Sequence, residues 1–481
     1  MHVLSNLEPA SVFRYFEEIC SIPHTSYHEK ALSDYCANFA KERGLYVSQE
    51  DNGNLIIIAD ATPGYENADP ILIQGHLDMV GEKTADSSKD LLTDGLDLYI
   101  DGDYIYADKT TLGGDDGIAI AYALALLDDP SISHPRLEVV FTVCEEVGLL
   151  GATAIDLSIC KAKKMINIDS EVEGILTVGC AGGIRSAIKI PIDYVETKGT
   201  LYTVSLEGFM GGHSGTDIHK ERANANCLMG RFLADLKKNT DYSLVSTDGG
   251  SKENVIPTFA KICLVADSSS EKVLQKNVDD FSAMISNEYG TADPNITITL
   301  SVGDAASYQT FSSDTQNAVI TALLLSPNGV QHMSADLPGL VETSLNMGVV
   351  STEDGLVTLR SSIRSSVAAR KDYLTQKLSA LAESIGATIE FMGAYPAWPY
   401  AKESALRDTC VSIYEEQYGK KPIIEMLHAG LECGIFSDKL PGLDCISFGP
   451  DLINIHTPDE HMSISSVARV WEYLKAIVQA R

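Results

Sequence analysis

The sequence is poor in the features that mark membrane, secreted and nucleic-acid-binding proteins. It has no run of about 18 apolar residues, so no transmembrane helix is expected. Its first residues have neither the basic start nor the apolar stretch of a signal peptide, and its ten cysteines form no C-x-x-C pair, which indicates reduced thiols in a cytoplasmic protein. Basic residues are scarce, and the net charge of −31 argues against nucleic acid or a membrane surface as a partner.

The composition is otherwise that of a globular protein. Hydrophobic residues make up 44% and charged residues 21% of the 481 residues. A chain of this length exceeds what one core usually supports, so two domains are expected. We find no internal repeat and no low-complexity linker in the sequence.

Helix-like and strand-like segments alternate in the first part of the chain. Amphipathic spacing predicts helices over residues 10–20, 26–42 and 117–127, the second of them capped by Ser26. Short apolar runs predict strands at 55–59, 71–75, 137–143 and 164–169. This alternation predicts an α/β domain with a mixed central sheet flanked by helices, whose ligands lie beyond the carboxyl ends of the strands.

The pattern changes near residue 187 and returns near residue 392. Between these positions we predict helices over 217–238, 272–289, 315–325 and 368–385, with strands near 201–206, 296–300, 343–350 and 355–363. Helices over 405–418 and 463–478 and a strand near 444–448 follow. The sequence therefore predicts a first domain made of residues 1–186 and 392–481, with an α+β domain of residues 187–391 inserted in it.

Acidic residues and histidines follow the predicted strands of the first domain. Four of them stand just after a strand run and should converge on one edge of the sheet: His76, Glu145, Glu146 and Asp169. Asp115, in the glycine-rich segment 110–117, and the distant His456 add two more. Histidine nitrogens and carboxylate oxygens are zinc ligands, and a catalytic site keeps one position open for water.

The spacing of these residues fits two zinc ions side by side. Ions about 3.5–4 Å apart need a bridging carboxylate, and Asp115 suits that role because its glycine neighbours allow close backbone approach. Asp78 can hold the second ring nitrogen of His76. One residue of the pair Glu145-Glu146 can bind metal, while the other takes a proton from water and returns it to the leaving amine.

Each feature also has an ordinary explanation. A histidine two residues from an aspartate is common, paired glutamates usually lie on a solvated surface, and Asp169 could simply end a strand. Cys144 is expected to be a small buried strand residue and not a nucleophile. The conjunction of potential ligands at strand ends nevertheless predicts a metal site that hydrolyses an amide bond.

The motifs around these residues resemble those of a known peptidase family. They are GHLDMV at 75–80, TLGGDDG at 111–117, EEVG at 145–148, NIDSE at 167–171, GGHSG at 211–215, HAGLECG at 428–434 and HTPDE at 456–460. They are similar, in order and over nearly the whole chain, to the co-catalytic zinc aminopeptidase/carboxypeptidase/aminoacylase clan. Within that clan they most resemble the aminoacyl-histidine dipeptidase (peptidase D) family.

The resemblance implies a role for each metal-site residue. Asp115 would bridge two zinc ions, with cobalt or manganese as alternatives. His76 and Asp169 would complete one ion, and Glu146 and His456 the other. Glu145 would be the general base, and Asp78 would support His76. The peptide bond between Asp115 and Asp116 would be cis.

The resemblance also implies a lid and a dimer. His213 would reach from the inserted domain into the active site of a homodimer partner and stabilise the oxyanion. Asn254 and Arg360 would bind substrate, Arg360 by holding a free carboxylate, with Arg364 as the alternative arginine. His428 and Glu432 would lie at the pocket, and Glu432 could meet the substrate amine. We thus expect a dipeptidase acting on small peptides of the Xaa-His type, with broad specificity.

Two other functions remain open from the sequence. A tripeptidase or an N-acyl amino-acid deacylase would use the same pair of metal ions. A non-catalytic protein of the same fold is the alternative from another class. The presence of Glu145 together with every expected ligand argues against that alternative.

Overall fold

The chain forms two compact units in the computed structural model, which describes residues 3–335 and 337–480. Four residues lie outside the described ones: Met1, His2, Asp336 and Arg481. Met1 and His2 belong to the first residues, in which no signal-peptide pattern was found. Unit 1 comprises the described residues of Met1–Cys180, Trp398–Met426 and Leu431–Arg481, and unit 2 those of Ala181–Ala397 and Leu427–Gly430.

The boundaries of these units differ slightly from the predicted ones at 187 and 392. Unit 2 starts a few residues earlier, ends a few residues later and includes the short segment Leu427–Gly430. That segment belongs to unit 2 because the backbone N–H of Ala181 donates to the carbonyl oxygens of Leu427 and Ala429. Hydrogen bonds between segments so distant in the chain leave no signal in the local sequence pattern.

The elements are numbered along the chain. The strands are β1 (Tyr46–Gln49), β2 (Leu55–Ala59), β3 (Ile71–His76), β4 (Leu98–Asp101), β5 (Tyr104–Ala107), β6 (Leu137–Thr142), β7 (Lys164–Asn167), β8 (Ile175–Cys180), β9 (Gly182–Pro191), β10 (Tyr194–Glu207), β11 (Ser243–Gly249), β12 (Ala260–Ala266), β13 (Thr297–Phe311), β14 (Gly329–Met333), β15 (Val341–Glu353), β16 (Leu356–Ser365), β17 (Thr388–Tyr395), β18 (Ile423–Leu427), β19 (Asp444–Ser447), β20 (Leu452–Ile453) and β21 (His461–Ser463). The helices are α1 (Ala10–Cys20), α2 (Lys30–Glu42), α3 (Gly114–Asp128), α4 (Leu150–Ala154), α5 (Ala225–Leu236), α6 (Glu271–Tyr289), α7 (Ser313–Leu325), α8 (Ala368–Ser384), α9 (Ala405–Tyr418), α10 (Glu432–Lys439) and α11 (Ile464–Gln479), with short 3₁₀ turns at Ile218–Lys220 and Ser268–Ser270.

Unit 1 is built on a mixed sheet with the strand order β1-β2-β6-β3-β7-β19-β8-β18. Its central strands β6, β3, β7 and β19 are parallel, whereas β2 runs antiparallel to β6 and β8 antiparallel to β19. Every residue of β3 and β6 is buried, as expected for strands covered on both faces. The carboxyl ends of the parallel strands therefore meet at one edge, which confirms the predicted α/β class.

Two glycines let the backbone approach that edge closely. A side chain at Gly75, on β3, would place its Cβ 2.6 Å from the Cβ of Ala119, so α3 packs directly on the strand. Gly113 precedes α3 with a φ of 67°, a left-handed conformation that favours glycine. Asp115 is thereby brought to the start of α3, where its own backbone angles are not helical, next to the end of β3.

Unit 2 has its own sheet and core. Its strands follow the order β13-β10-β12-β11-β15-β16-β9-β17, with β14 paired to β15, and each of these pairs is antiparallel. Helices α5, α6, α7 and α8 contribute apolar side chains to the core of this unit. The predicted α+β character of the insertion is thus confirmed.

Two predicted helices begin later than expected. The helix predicted from residue 26 begins at Lys30, because the Ser26 hydroxyl donates to Asp78 at 2.8 Å instead of capping the helix. The helix predicted from residue 217 begins at Ala225, where the Asn224 side chain accepts from the N–H groups of Asn226 and Cys227. Helices α1 and α9 have the predicted bounds.

Two predictions about the chain as a whole can be compared with the structure. All ten cysteines are free thiols, as expected, and Cys144 is buried. Across residues 3–335 and 337–480, no helix combines the length and the apolar character that crossing a bilayer requires.

Candidate metal centre

The candidate ligands lie at the ends of the parallel strands of unit 1. His76 is the last residue of β3, Glu145 and Glu146 follow β6, and Asp169 follows β7. Asp115 lies at the non-helical start of α3, and His456 lies between β20 and β21 with a positive φ of 60°. The structure therefore brings together residues that are far apart in the sequence.

Asp115 faces two separate histidines. Its Oδ1 lies 3.1 Å from Nε2 of His76, and its Oδ2 lies 3.1 Å from Nε2 of His456. A second carboxylate accompanies each histidine: Asp169 Oδ1 is 3.6 Å from Nε2 of His76, and Glu146 Oε1 is 2.8 Å from Nε2 of His456. Each side of Asp115 thus presents one imidazole and one further carboxylate.

The hydrogen bonds of His76 leave its Nε2 facing the other candidate ligands. Nδ1 lies 2.9 Å from the carbonyl oxygen of Asp78, which can only accept, so Nδ1 donates to it. Nε2 points at the carboxylates of Asp115 and Asp169. Burial opposes protonation of His76, but these carboxylates outweigh it and raise the pKa of the ring well above its usual value. The position that Nε2 faces therefore favours a positive charge, which a proton or a metal ion can supply.

Asp78 supports the site mainly through backbone amides. Its carboxylate Oδ1 is 3.5 Å from Nδ1 of His76 and accepts from the N–H of Glu145 at 2.9 Å. Its Oδ2 accepts from the N–H of Glu146 at 3.2 Å and from the Ser26 hydroxyl. Asp78 therefore contacts His76, and its carboxylate also holds the backbone N–H groups of Glu145 and Glu146.

The electrostatics of the centre also fit a cation. Glu145 and Glu146 group with His76, their ligand atoms all lying within 4.8 Å of one another. Burial raises the pKa of Glu145 well above its usual value; the charge of His76 opposes this shift, while those of Asp169 and Glu146 add to it. Burial likewise opposes ionisation of Asp115, but its contacts with His456 and His76 outweigh burial and lower the pKa of its carboxyl group.

The Asp115-Asp116 peptide bond is cis, as the family resemblance implied. The side chain of Asp116 is buried, and its Oδ2 accepts from the backbone N–H of His76 at 3.2 Å. Asp116 also lies within 4.8 Å of His76 and Asp169 as a potential ligand. The sequence motif contains Asp116, but we had expected no ligand role for it.

Glu460 is a buried residue of the site that the sequence reasoning did not single out. Its Oε2 accepts from the N–H groups of Leu112 and Gly113 at 2.8 and 3.1 Å, and its Oε1 from those of Gly114 and Asp115 at 2.8 and 3.5 Å. One carboxylate thus receives four backbone amides of the segment that carries Asp115. Its position four residues after His456, in the HTPDE motif, was the available signal.

The structure places Glu432 inside unit 1. This side chain is fully buried at the start of α10, where its Oε2 accepts from the Thr142 hydroxyl at 2.7 Å and from the Gln74 side-chain amide. Burial raises its pKa to about 8. Both protein donors bind Oε2, and the buried Oε1 has no hydrogen-bond partner among the described residues. Contact of Glu432 with a substrate amine stays a prediction.

A second group of predicted residues lies in unit 2, around Arg364. One guanidinium nitrogen of Arg364 is 3.4 Å from Nε2 of His213, and another donates to the Tyr395 hydroxyl at 3.1 Å. The Ser344 hydroxyl and Nε2 of His428 are 2.7 Å apart. Burial and the charge of Arg364 lower the pKa of His213 to about 4 and that of His428 to about 3, so both rings are neutral at pH 7.

Arg364 and Arg360 have different surroundings. Arg364 is buried, and among the described residues it has no carboxylate partner, while its Nε has no hydrogen-bond partner. Arg360 is half-buried and lies 3.2 Å from the exposed Glu353. The structure does not bring Arg360 to His213, because four residues along β16 separate it from the cluster that Arg364 joins.

Asn254 lies beside His213 through its backbone. The segment that holds Asn254 pairs with the His213 segment through a bridge between His213 and Val255, and the carbonyl oxygen of Asn254 accepts from the N–H of Ser214 at 2.8 Å. The residue itself is exposed. Asn254 is therefore near His213, as the resemblance implied.

Comparisons with known proteins give a consistent result. The sequence model of a family described as peptidase family M20/M25/M40 matches residues 72–480. The chain is 39% identical over 485 aligned positions to the cytosol non-specific dipeptidase of Escherichia coli (strain K12), covering 100% of this chain and 99% of that protein.

Solved structures agree with the sequence comparisons. The crystal structure of aminoacylhistidine dipeptidase from Vibrio alginolyticus matches with a TM-score of 0.90 and 39% identity, covering 99% of this chain and 97% of that one. Aminopeptidase PepT from Bacillus cereus ATCC 10987 matches with a TM-score of 0.57 at 16% identity, over 98% of each chain, and so shows the fold alone.

Proposed function

The chain belongs to peptidase family M20/M25/M40, and from this we propose that it is a metal-dependent dipeptidase of the cytosol. The two full-length relatives at 39% identity, the Escherichia coli and Vibrio alginolyticus proteins, are both named as dipeptidases. The observation that carries the proposal is the placement of Asp115 between two histidine–carboxylate pairs, with Glu145 beside them. We take Xaa-His dipeptides as preferred substrates within a broad range.

In this proposal the residues around Asp115 hold two zinc ions in each subunit. Asp115 would be shared by both ions, His76 and Asp169 would hold one of them, and Glu146 and His456 would hold the other. Bound there, the metal ions would acidify a water molecule and polarise the scissile carbonyl group. Cobalt and manganese stay alternatives to zinc, because both ions also bind nitrogen and oxygen ligands.

Glu145 is the proposed general base. Its backbone N–H is held by Asp78, which orients the residue without occupying its side chain. The Glu145 carboxylate takes a proton from the attacking water and transfers it to the nitrogen of the leaving amine.

Arg364 is proposed to bind the free carboxylate of the substrate. A buried guanidinium without a carboxylate partner bears an uncompensated charge, and a ligand carboxylate would compensate it. This assigns to Arg364 the role that the sequence first suggested for Arg360. His213, Asn254 and His428 belong to the same proposed binding group, and the homodimer with His213 acting across it stays a prediction of the family resemblance.

Metal removal and restoration test the proposed function. We expect wild-type protein to hydrolyse Xaa-His dipeptides, to lose activity on chelation, and to regain it when zinc is added, because the water needs the metal for activation. Activity should be measured on dipeptides, tripeptides and N-acetylated amino acids side by side. The metal content of each sample, determined by atomic emission, is the control.

The other outcomes of this panel separate the alternatives. Restored activity on tripeptides or acylated amino acids, without dipeptide cleavage, would support the proposed metal site and contradict the proposed dipeptidase activity. Absence of hydrolysis in a protein that binds two metal ions would favour the non-catalytic alternative.

The two arginines can be distinguished by mutation. We expect Arg364→Ala to lower kcat/KM for dipeptides by about 10²-fold, because it removes hydrogen bonds to a charged group, each contributing about 1.5–3 kcal/mol. Arg360→Ala should stay within about twofold, since an exposed ion pair contributes little. A dipeptide amide, which lacks the carboxylate, should be a poor substrate of wild-type protein and should be unaffected by Arg364→Ala.

The reverse pattern, with Arg360→Ala damaging and Arg364→Ala harmless, would restore the first assignment. Equal damage to the cleavage of the dipeptide and of its amide by Arg364→Ala would instead indicate a structural role for this residue.

A further inference from the structure

A groove in unit 1 begins at the proposed metal ligand Glu146. It has a volume of about 600 Å³ and is formed by residues from the segments 25–27, 79–83, 90–92 and 146–147. We propose that this groove binds the side chain of the N-terminal residue of the dipeptide and selects apolar over acidic side chains. The proposal rests on the proposed function, which assigns the C-terminal carboxylate to Arg364 and leaves the N-terminal residue for the unit that holds the metal ligands.

Apolar side chains from three separate segments are exposed in the groove. Tyr27 is 67% exposed, Leu92 is 52% exposed and Val147 is 41% exposed. Single exposed apolar residues are common on proteins, but their convergence next to a proposed catalytic centre is a mark of a binding surface. An apolar substrate side chain would remove part of each of these surfaces from water.

The segment that carries Tyr27 is linked by hydrogen bonds to the segment that precedes Glu145. The N–H groups of Tyr27 and of Cys144 both donate to Oε1 of the buried Glu29, at 3.0 Å each. Cys144 directly precedes Glu145, so the same carboxylate holds the groove wall and the base segment. This explains how Tyr27 can keep a positive φ of 70°, which is rare for a bulky residue and costs about 1–3 kcal/mol.

The loop of residues 79–83 packs directly against the segment that carries Tyr27. A side chain at Gly81 would place its Cβ 2.6 Å from Cγ2 of Thr25, so these two segments touch without room for a larger residue. The ammonium group of Lys83 donates to the carbonyl oxygen of Lys89, which ties the loop to itself. These contacts join two of the segments that line the groove.

The charges of the groove oppose acidic side chains. Apart from the proposed metal ligand Glu146, the carboxylates of Glu82 and Asp90 line it, against the single ammonium group of Lys83. An aspartate or glutamate side chain bound there would face like charges. Apolar side chains avoid this repulsion and gain burial, which defines the substrate class as dipeptides with an apolar N-terminal residue.

The test compares two series of dipeptides, Xaa-Ala and Ala-Xaa, with Xaa being Ala, Leu, Phe or Glu. For Tyr27→Ala and Leu92→Ala we expect the ratio of kcat/KM between Phe-Ala and Ala-Ala to fall about tenfold, because part of an apolar contact is lost. For Leu92→Lys we expect the ratio of kcat/KM between Glu-Ala and Leu-Ala to rise about tenfold. Tyr46→Ala is the matched control, since Tyr46 is 55% exposed on β1 and does not line the groove.

The outcomes separate this proposal from the proposed function. If wild-type protein cleaves Ala-Ala but both alanine variants keep its selectivity, or if they alter only the Ala-Xaa series, the groove assignment is rejected and the dipeptidase stands. If wild-type protein cleaves none of these dipeptides, the groove assignment is rejected, and the Xaa-His dipeptides of the metal-restoration panel decide the proposed function. A change confined to the Xaa-Ala series in both variants supports the groove.

Discussion

Replacing Glu145 with glutamine should lower kcat for dipeptide hydrolysis by about 10³-fold or more while both metal ions still bind. Glutamine has nearly the same shape, and its backbone N–H can still donate to Asp78, but its side-chain amide cannot accept the proton of the attacking water. The measurement is kcat on a good dipeptide substrate, together with the metal content per subunit.

Glu146→Gln is the matched comparison for this prediction. The same chemical change one residue later should lower metal content, because Glu146 is a proposed ligand facing His456. Substantial activity in Glu145→Gln would reject Glu145 as the base. Loss of metal in Glu145→Gln would show that the two glutamates had been assigned in the wrong order.

Glu460→Gln should weaken metal binding by about 10- to 100-fold, as substitutions of residues that support metal ligands do. Four backbone N–H groups point at the two oxygens of Glu460, and an amide offers them one oxygen and one opposing NH₂ group. The unmet buried N–H groups cost about 1–3 kcal/mol each, so the segment 112–115 should shift and carry Asp115 with it. Titration of metal into the apoprotein measures the effect.

Asp459→Asn provides the control for Glu460→Gln. It makes the same change of charge at an exposed neighbour and should leave metal affinity unchanged. If Glu460→Gln lowers thermal stability but binds metal as tightly as wild-type protein, then Glu460 supports only the fold. Rescue of affinity by Glu460→Asp is not expected, because a shorter side chain cannot reach all four amides.

The sequence was most informative where local pattern and function coincide. The runs at 71–75, 137–143 and 164–169 are short, apolar and bounded by polar residues, and they became β3, β6 and β7 with His76, Glu145 and Asp169 at or after their ends. The family resemblance and the fold class were confirmed by the full-length similarities. The roles of the individual site residues stay predictions.

Local sequence patterns could not predict contacts between segments that are distant in the chain. Ser26 has the sequence of a helix cap, but its hydroxyl donates to Asp78, and this bond depends on the position of β3. Arg360 and Arg364 lie on the same strand with similar neighbours, and only their partners in the folded unit distinguish them. Glu460 was missed for the same reason, since its amide donors are far away in the sequence.

The discontinuity of unit 1 has a consequence for biosynthesis. A ribosome adds residues in chain order, and β19 fills the place between β7 and β8 only after all of Ala181–Ala397 has been made. Until then the nascent chain has an unpaired apolar edge on β7, which invites aggregation and calls for chaperone protection. The proposed ligand set also remains incomplete until His456 is added. On this view the pair formed by Glu146 and His456 is completed only when the last segment of the chain has been made.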